Sequence, residues 1–261
     1  MSQDPSNKVE DVIPAEAGIP VSHPKLNVLL EMLREGVHFG HRTSRWSPKM
    51  YNYVHGTKGT IHVINLESTL EKLEEAEAFV ENLGREGKTV LFVGTKPSAC
   101  AIIESEAKRC LMPHVVNRWL GGTLTNFSSL SKRLKYLDDL EAKKQRGELA
   151  KYTKKERVDF DKELAELEEK FGGIRQLTKI PDALFIVDIT KETTAVREAK
   201  RMRVPTIALV DTNADPTLVT HPIPANDDAI TAVSYIVKRI ADAILKGKSA
   251  MQKTAEPEQH L

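Results

Sequence analysis

A parallel α/β sheet covered on both faces, with an antiparallel helical hairpin inserted into it, is the architecture this sequence predicts. Three observations carry it. Short apolar runs at 89–93, 183–187 and 206–210 alternate with amphipathic stretches, and strands buried on both faces read as continuous apolar runs. The stretch from about 227 to 245 sets Ile230, Val233, Val237, Ile240 and Ile244 at 3-4-3-4 spacing, a helix with one core face. Between Asn126 and Lys179 no strand candidate occurs, while two apolar stripes recur at helical spacing.

Along the chain, residues 1–24 read as a disordered tail, broken by Pro5, Pro14, Pro20 and Pro24. Leu26, Leu29, Leu30 and Leu33 form a short amphipathic helix stopped by Gly36. Runs 51–55 and 60–65 read as strands joined by Gly56-Thr57-Lys58-Gly59. A charged helix spans 66–83 and ends at Gly84. After strand 89–93, a helix spans 97–110 with Pro97 at its start, where the missing amide hydrogen is no loss. Val115 and Val116 form a very short strand. Phe127, Leu130, Leu134 and Leu137 mark the first hairpin arm; Phe160, Leu164, Leu167 and Phe171 mark the second. Thr153-Lys-Lys-Glu156 reads as a capping box opening that arm, and Gly172-Gly173 closes it. The narrow stripes suggest a coiled-coil-like insertion over 127–171, projecting from an α/β domain over 25–246, with a seam largely separate from the sheet's core. A helix over 192–202 follows strand 183–187. Asn226 and Asp227 are candidate caps for the last helix, and residues 247–261 are expected to be a disordered tail.

The 261 residues suffice for one sizeable core plus an insertion. No apolar run approaches the roughly 18 residues of a membrane helix. The first 25 residues contain four acids, no Arg and no hydrophobic stretch, which fits neither a signal nor a transit peptide. Two cysteines exclude a disulfide framework and a four-cysteine zinc site within one chain. A reducing cytoplasm is expected.

Charge is segregated. Residues 36–66 contain no acid but carry Arg42, Arg45, Lys49 and Lys58. Residues 107–137 contain none but carry Lys108, Arg109, Arg118, Lys132, Arg133 and Lys135. The net charge is +1, so with ten cations in these windows the remaining chain carries −9. The first window interleaves its cations with Phe39, Trp46, Tyr51 and Tyr53, rings able to stack on bases. The second contains Arg118-Trp119-Leu120-Gly121-Gly122-Thr123-Leu124-Thr125-Asn126, where a glycine pair serves a sharp turn or a close backbone approach. Together the windows point to a polyanion.

Other chemistry is thin. Gly94-Thr95-Lys96-Pro97-Ser98 follows a strand and offers Lys96 to a phosphate, of a nucleic acid among others, but neither glycine-rich phosphate fingerprint is present, and an ordinary strand-to-helix turn is the favoured reading. Asp188, Asp211, Asp215, Asp227 and Asp228 fall at strand ends, where they serve a divalent cation or simply cap loops. His38 and His41 have i, i+3 spacing without other metal-site motifs. No nucleophile elbow occurs, and no catalytic set, cofactor or metal motif stands out.

The motifs Gly36-Val-His-Phe-Gly-His-Arg-Thr43, Trp46-Ser-Pro-Lys-Met50, Ile64-Asn-Leu-Glu67, Phe92-Val-Gly-Thr-Lys96, Arg118 to Asn126, Pro181-Asp-Ala-Leu-Phe185, Asp211-Thr-Asn213 and Asn226-Asp-Asp-Ala229 occur in one order. In that order the chain resembles the bacterial small-subunit ribosomal protein S-two family over about 26–245. The resemblance implies a flavodoxin-like three-layer α/β/α fold with an inserted hairpin, and no catalytic activity. It also implies binding to small-subunit rRNA between head and body, subunit assembly, and docking of the mRNA-binding protein S-one. The residues assigned to rRNA are Arg42, Arg45, Trp46, Lys49, Lys58, Lys96, Arg118, Lys132, Arg133 and Lys135, with Gly121 and Gly122 as structural turn residues. No membrane, cofactor or homo-oligomer is expected. A flavodoxin-like nucleotide or phosphate enzyme built on Lys96, and a protein-docking scaffold, are the alternatives.

Overall fold

Two sheets organise the chain. The computed structural model describes residues 24–255, so the expected tail before Pro24, and residues 256–261, lie outside the described residues. Helix α1 (Pro24–Arg34) leads into β1 (Phe39–Arg42), β2 (Val54–Lys58) and β3 (Ile61–Ile64), a small antiparallel sheet in the order β1-β3-β2. Residues 51–53, expected to be strand, belong to a 3-10 turn over Pro48–Tyr53 that Pro48 opens. Helix α2 (Leu66–Arg85) is capped by the Asn65 side chain, which accepts from the Glu67 amide at 3.0 Å.

The main sheet is all parallel. Strands β4 (Val90–Val93), β5 (His114–Val115), β6 (Ala183–Val187), β7 (Thr206–Val210) and β8 (His221–Pro224) stand in the order β5-β4-β6-β7-β8. This is the doubly wound flavodoxin-like order, with its switch point between β4 and β6. Side chains alternate as the pleat demands. Phe92, Phe185, Val187, Ile207 and Leu209 face α2, α3 (Pro97–Arg109) and α7 (Ile230–Ala255). Leu91, Val93, Leu184, Ile186, Ala208 and Val210 face the other side, covered by α6 (Thr193–Met202), the 119–124 loop and the base of the hairpin. Strand β8, not expected from the sequence, holds Pro222 and Pro224; it is an edge strand, where a missing amide hydrogen is tolerated.

The hairpin is α4 (Phe127–Gln145) and α5 (Lys154–Phe171). Lys144 meets Asp161 at 2.7 Å across the arms, and the Thr153–Glu156 capping box forms as expected. Its seam is not separate from the sheet. Leu130, Leu134, Leu137, Leu140, Leu167 and Phe171 are buried in the same apolar cluster as Trp119, Leu184 and Ile186. Arg175, after α5, adds ion pairs to Asp138 at 2.6 Å and to Glu141 on α4.

One helix boundary differs from expectation. Helix α2 ends at Arg85, beside the expected Gly84, but α7 runs to Ala255 rather than ending in a tail at 247. The two helices cross where glycine meets glycine. A Cβ on Gly84 would stand 2.6 Å from the Ile244 carbonyl oxygen, and one on Gly247 would collide with the Glu81 carbonyl oxygen. The bare backbones let the helices approach, and the packing holds α7 helical past Gly247. Gly247→Ala should therefore lower the melting temperature by several degrees, since overpacking costs about 1–3 kcal/mol. Gly56→Ala, with nothing within 4 Å of the added methyl, serves as the control and should leave it unchanged.

Candidate nucleic-acid interface

The carboxyl ends of the parallel strands, where doubly wound sheets take ligands, are filled by the chain's own charges. Lys96 follows β4 and places Nζ 2.6 Å from Asp227 Oδ1, 2.5 Å from Asp228 Oδ1 and 3.5 Å from Asp188 Oδ2. Burial works to lower the Lys96 pKa, but Asp227 and Asp228 outweigh it and raise it. Asp188 is left-handed, with φ 66°, and its Oδ1 accepts from the amides of Thr190 and Lys191. Beside it, Glu192 accepts from the Thr95 amide at 3.2 Å and the Thr95 hydroxyl at 2.5 Å.

His41, on β1, pins the small sheet to this cluster. Its Nδ1 lies 3.1 Å from Asp211 Oδ2 and its Nε2 3.4 Å from Asp228 Oδ2, and the Asp211 contact raises the imidazole pKa. Burial, with Asp211 and Asp188 nearby, pushes the Asp227 carboxyl up to about 7. His41, Asp227 and Asp228 bring potential ligand atoms within 4.8 Å of one another, a spacing that suits a cation, although the Lys96 ammonium already lies against both aspartates. His38 packs on Phe39. Neither expected residue caps α7, which begins at Ile230: the Asn226 side chain accepts from the Asp228 and Ala229 amides and closes the turn ahead of the helix, while Asp227 faces Lys96.

On the opposite face of the sheet, the 118–126 loop is built around one buried acid. Glu198 on α6 accepts from the Trp119 indole at 3.3 Å and the Gly122 amide at 2.7 Å through Oε1. Through Oε2 it accepts from the amides of Leu124 at 3.0 Å and Thr125 at 3.1 Å. Burial pushes this carboxyl up, but the three amides and the indole outweigh it and hold it below its ordinary value. Gly122 has φ 94°, which a side chain resists, so it is a turn device. Gly121 is not: it lacks a positive φ, and nothing lies within 4 Å of where a Cβ would stand.

The ten cations of the two acid-free windows divide. Lys49 is paired with Asp215 at 2.5 Å, Lys108 with Glu104 at 2.6 Å, and Arg109 with Glu106 at 2.6 Å and Asp242 at 2.7 Å. Arg42, Arg45, Lys58, Arg118, Lys132, Arg133 and Lys135 are exposed, and no side-chain ion pair or hydrogen bond engages them among the described residues. Arg42 and Arg45 line one polar hollow of about 530 Å³, while Arg133 lines another with Gly121, Gly122 and Asn126. Arg118 borders a third, between the β5 edge and α5. Lys96 departs from its assignment, because its ammonium is held by aspartates rather than presented to a phosphate. Trp46 departs too: its indole nitrogen is buried and its ring packs on His62 at 5.3 Å. The exposed rings of that window are Phe39 and Tyr51, 44% and 73% exposed. Glu198 was missed, although a charged residue among Ala195, Val196 and Ala199 on the apolar phase of a helix was its signal.

Fold and site define a doubly wound α/β protein whose ligand crevice is closed by internal ion pairs and whose unpaired cations lie elsewhere. The family model for ribosomal protein S2 matches residues 32–247. The chain is 48% identical over 229 residues to the small ribosomal subunit protein uS2 of Dictyoglomus thermophilum, covering 88% of this chain and 93% of that one. The uS2 protein of Dictyoglomus turgidum gives the same figures, and that of Coprothermobacter proteolyticus is 46% identical over 224 residues, 86% of this chain and 84% of its own. The chain belongs to the ribosomal protein S2 family. Its role is therefore structural and non-enzymatic, within the small ribosomal subunit of the cytoplasm. Separately, no helix among the described residues is long and apolar enough to cross a membrane.

Glu198→Gln should cost about 2–3 kcal/mol, because an amide replaces a carboxylate that accepts several charge-assisted bonds. The sign with pH follows from the lowered pKa. The contribution is complete above the unfolded carboxyl value of about 4.3 and is lost as pH falls through the folded value. Urea unfolding between about pH 3 and 7 should show the variant's deficit at neutral pH shrinking towards the acid end.

Proposed function

We propose that this chain binds small-subunit rRNA between head and body through Arg42, Arg45, Lys58, Arg118, Lys132, Arg133 and Lys135, and thereby supports subunit assembly. The observation that carries the reading is that these seven cations of the two acid-free windows are exposed and in no ion pair among the described residues, whereas Lys49, Lys96, Lys108 and Arg109 are each held by an acid. An arginine or lysine held in an internal ion pair must break that pair to take a phosphate; a free one need not. Tyr51 and Phe39 provide exposed rings for unpaired bases beside Arg42 and Arg45. The relatives' name, small ribosomal subunit protein, agrees with a partner of this kind.

The hairpin serves a second contact. Residues 131–179 carry 14 basic and 11 acidic residues, a mixed surface suited to both RNA and protein neighbours, and docking of the mRNA-binding protein S-one belongs here. Its arms form the coiled-coil-like extension, although its base is anchored in the main core. A phosphate enzyme built on Lys96 is set aside by the family and by the three aspartates around that ammonium.

Removing one cation that neutralises a phosphate should lower the log–log salt slope of rRNA binding by about 0.7 to 0.9. Arg42→Gln, Arg45→Gln and Arg118→Gln combined should thus lower it by about 2, measured by titration of full-length protein onto small-subunit rRNA. An unchanged slope contradicts the reading. Lys96→Met should do the opposite: slope preserved, but stability reduced by about 2–4 kcal/mol, because buried aspartates lose their counter-charge.

A further inference from the structure

We propose that the outward face of α6 is a second phosphate-binding surface for small-subunit rRNA, an inference that rests on the rRNA reading above and extends it to residues outside both acid-free windows. Arg197, Lys200, Arg201 and Arg203 fall within seven residues. All four are exposed, and no side-chain ion pair or hydrogen bond engages any of them among the described residues. On α2, α3 and α5, by contrast, some cations meet acids one turn away: Lys72 with Glu75, Lys108 with Glu104, Arg109 with Glu106 and Lys170 with Glu166; α6, like α4, has no such pair.

The cause is geometric. Glu198 lies among these residues and Glu192 just before the helix, and both are withdrawn from the surface. Glu192, 4% exposed, is held by Thr95, and Glu198, 8% exposed, by the 119–125 loop. On a helix of 3.6 residues per turn, Thr193, Thr194, Arg197, Lys200 and Arg201 fill one face, while Ala195, Val196, Glu198 and Ala199 fill the buried one. The outward face thus holds cations and hydroxyls with no acid. Favourable placement near the helix C-terminus accounts for Lys200 and Arg201 but not for Arg197, which sits mid-helix.

Position and chemistry select the partner. The Glu198 carboxylate that binds the Gly122, Leu124 and Thr125 amides fixes α6 against the loop that begins at Arg118, so the helix bearing the basic face is packed on a segment already assigned to rRNA. A protein partner would be anchored by apolar or aromatic side chains at a buried centre. This face has none; Met202 at its end, 37% exposed, is the sole large apolar residue nearby on the helix. Guanidinium, ammonium and hydroxyl groups are what a phosphate backbone takes.

The test titrates full-length protein onto small-subunit rRNA over a series of potassium chloride concentrations. Arg197→Gln, Lys200→Gln and Arg201→Gln are combined in one chain, and the Arg42, Arg45 and Arg118 triple variant runs alongside. The α6 variant should lose about 2 units of log–log salt slope with an unchanged melting temperature, since the replaced groups hold no ion pair or hydrogen bond within the protein. Arg201→Gln alone, the milder change, should lose a little under one unit. If the α6 variants keep the wild-type slope while the other triple variant loses its share, the α6 surface is refuted and the rRNA reading stands. If neither variant changes the slope, or the wild-type chain shows no salt-dependent binding, both are refuted.

Discussion

The Glu198 carboxylate is the contact on which this face of the protein depends. It sits under α6 and gathers three backbone amides and an indole from one loop, of which the Leu124 amide and the Trp119 indole would otherwise be buried and unpaired. An unpaired buried amide costs about 1–3 kcal/mol, so the acid substitutes for several separate solutions. It also fixes where the loop ends, and therefore where α4 and the base of the hairpin begin. Leu124, Leu130 and Phe171 then close over the sheet in one apolar cluster. Because the acid faces inward, its negative charge is taken up by the backbone, and the cations beside it in sequence face water unopposed.

The same division recurs at the strand ends. Lys96 sits among Asp188, Asp227 and Asp228, and His41 bridges Asp211 and Asp228, so the crevice of a doubly wound sheet is cross-linked rather than open. These pairs join β1 to the loops after β7 and β8, tying the small antiparallel sheet to the main one. Charges that cross-link the fold are consumed there, and those left over, Arg42 and Arg45 on the adjoining hollow among them, define the outer surface. A net charge near zero is thus compatible with a polyanion-binding surface.

The sequence made the parallel sheet legible because buried strands are continuous apolar runs, and it showed both hairpin arms and the capping box because their spacing is local. It did not show β8, whose two prolines argue against a strand unless its edge position is known. Nor did it show that α7 passes Gly247, since the reason lies on α2, at Gly84. For the site, counting acid-free windows found Arg42, Arg45, Lys58, Arg118 and the α4 cations. It also admitted Lys49, and the strand-to-helix turn at 94–98 suggested Lys96; their counter-ions are 166 and 131 residues away in sequence. It overlooked α6, because Glu192 and Glu198 offset its charge in sequence while facing inward in space. Trp46 read as a stacking platform, and only tertiary contact with His62 shows otherwise.

The central claim is that the unpaired cations of the two acid-free windows and of α6 meet RNA, while cations held in internal ion pairs do not. Lysine acetylation footprinting, read by mass spectrometry on the free chain and on the chain assembled into the small subunit, tests it most directly. The account predicts that Lys58, Lys132, Lys135 and Lys200 become protected on assembly, while Lys72 and Lys246, paired with Glu75 and Glu81, react alike in both states. Protection confined to the paired lysines, with the unpaired four equally reactive in both states, would contradict it.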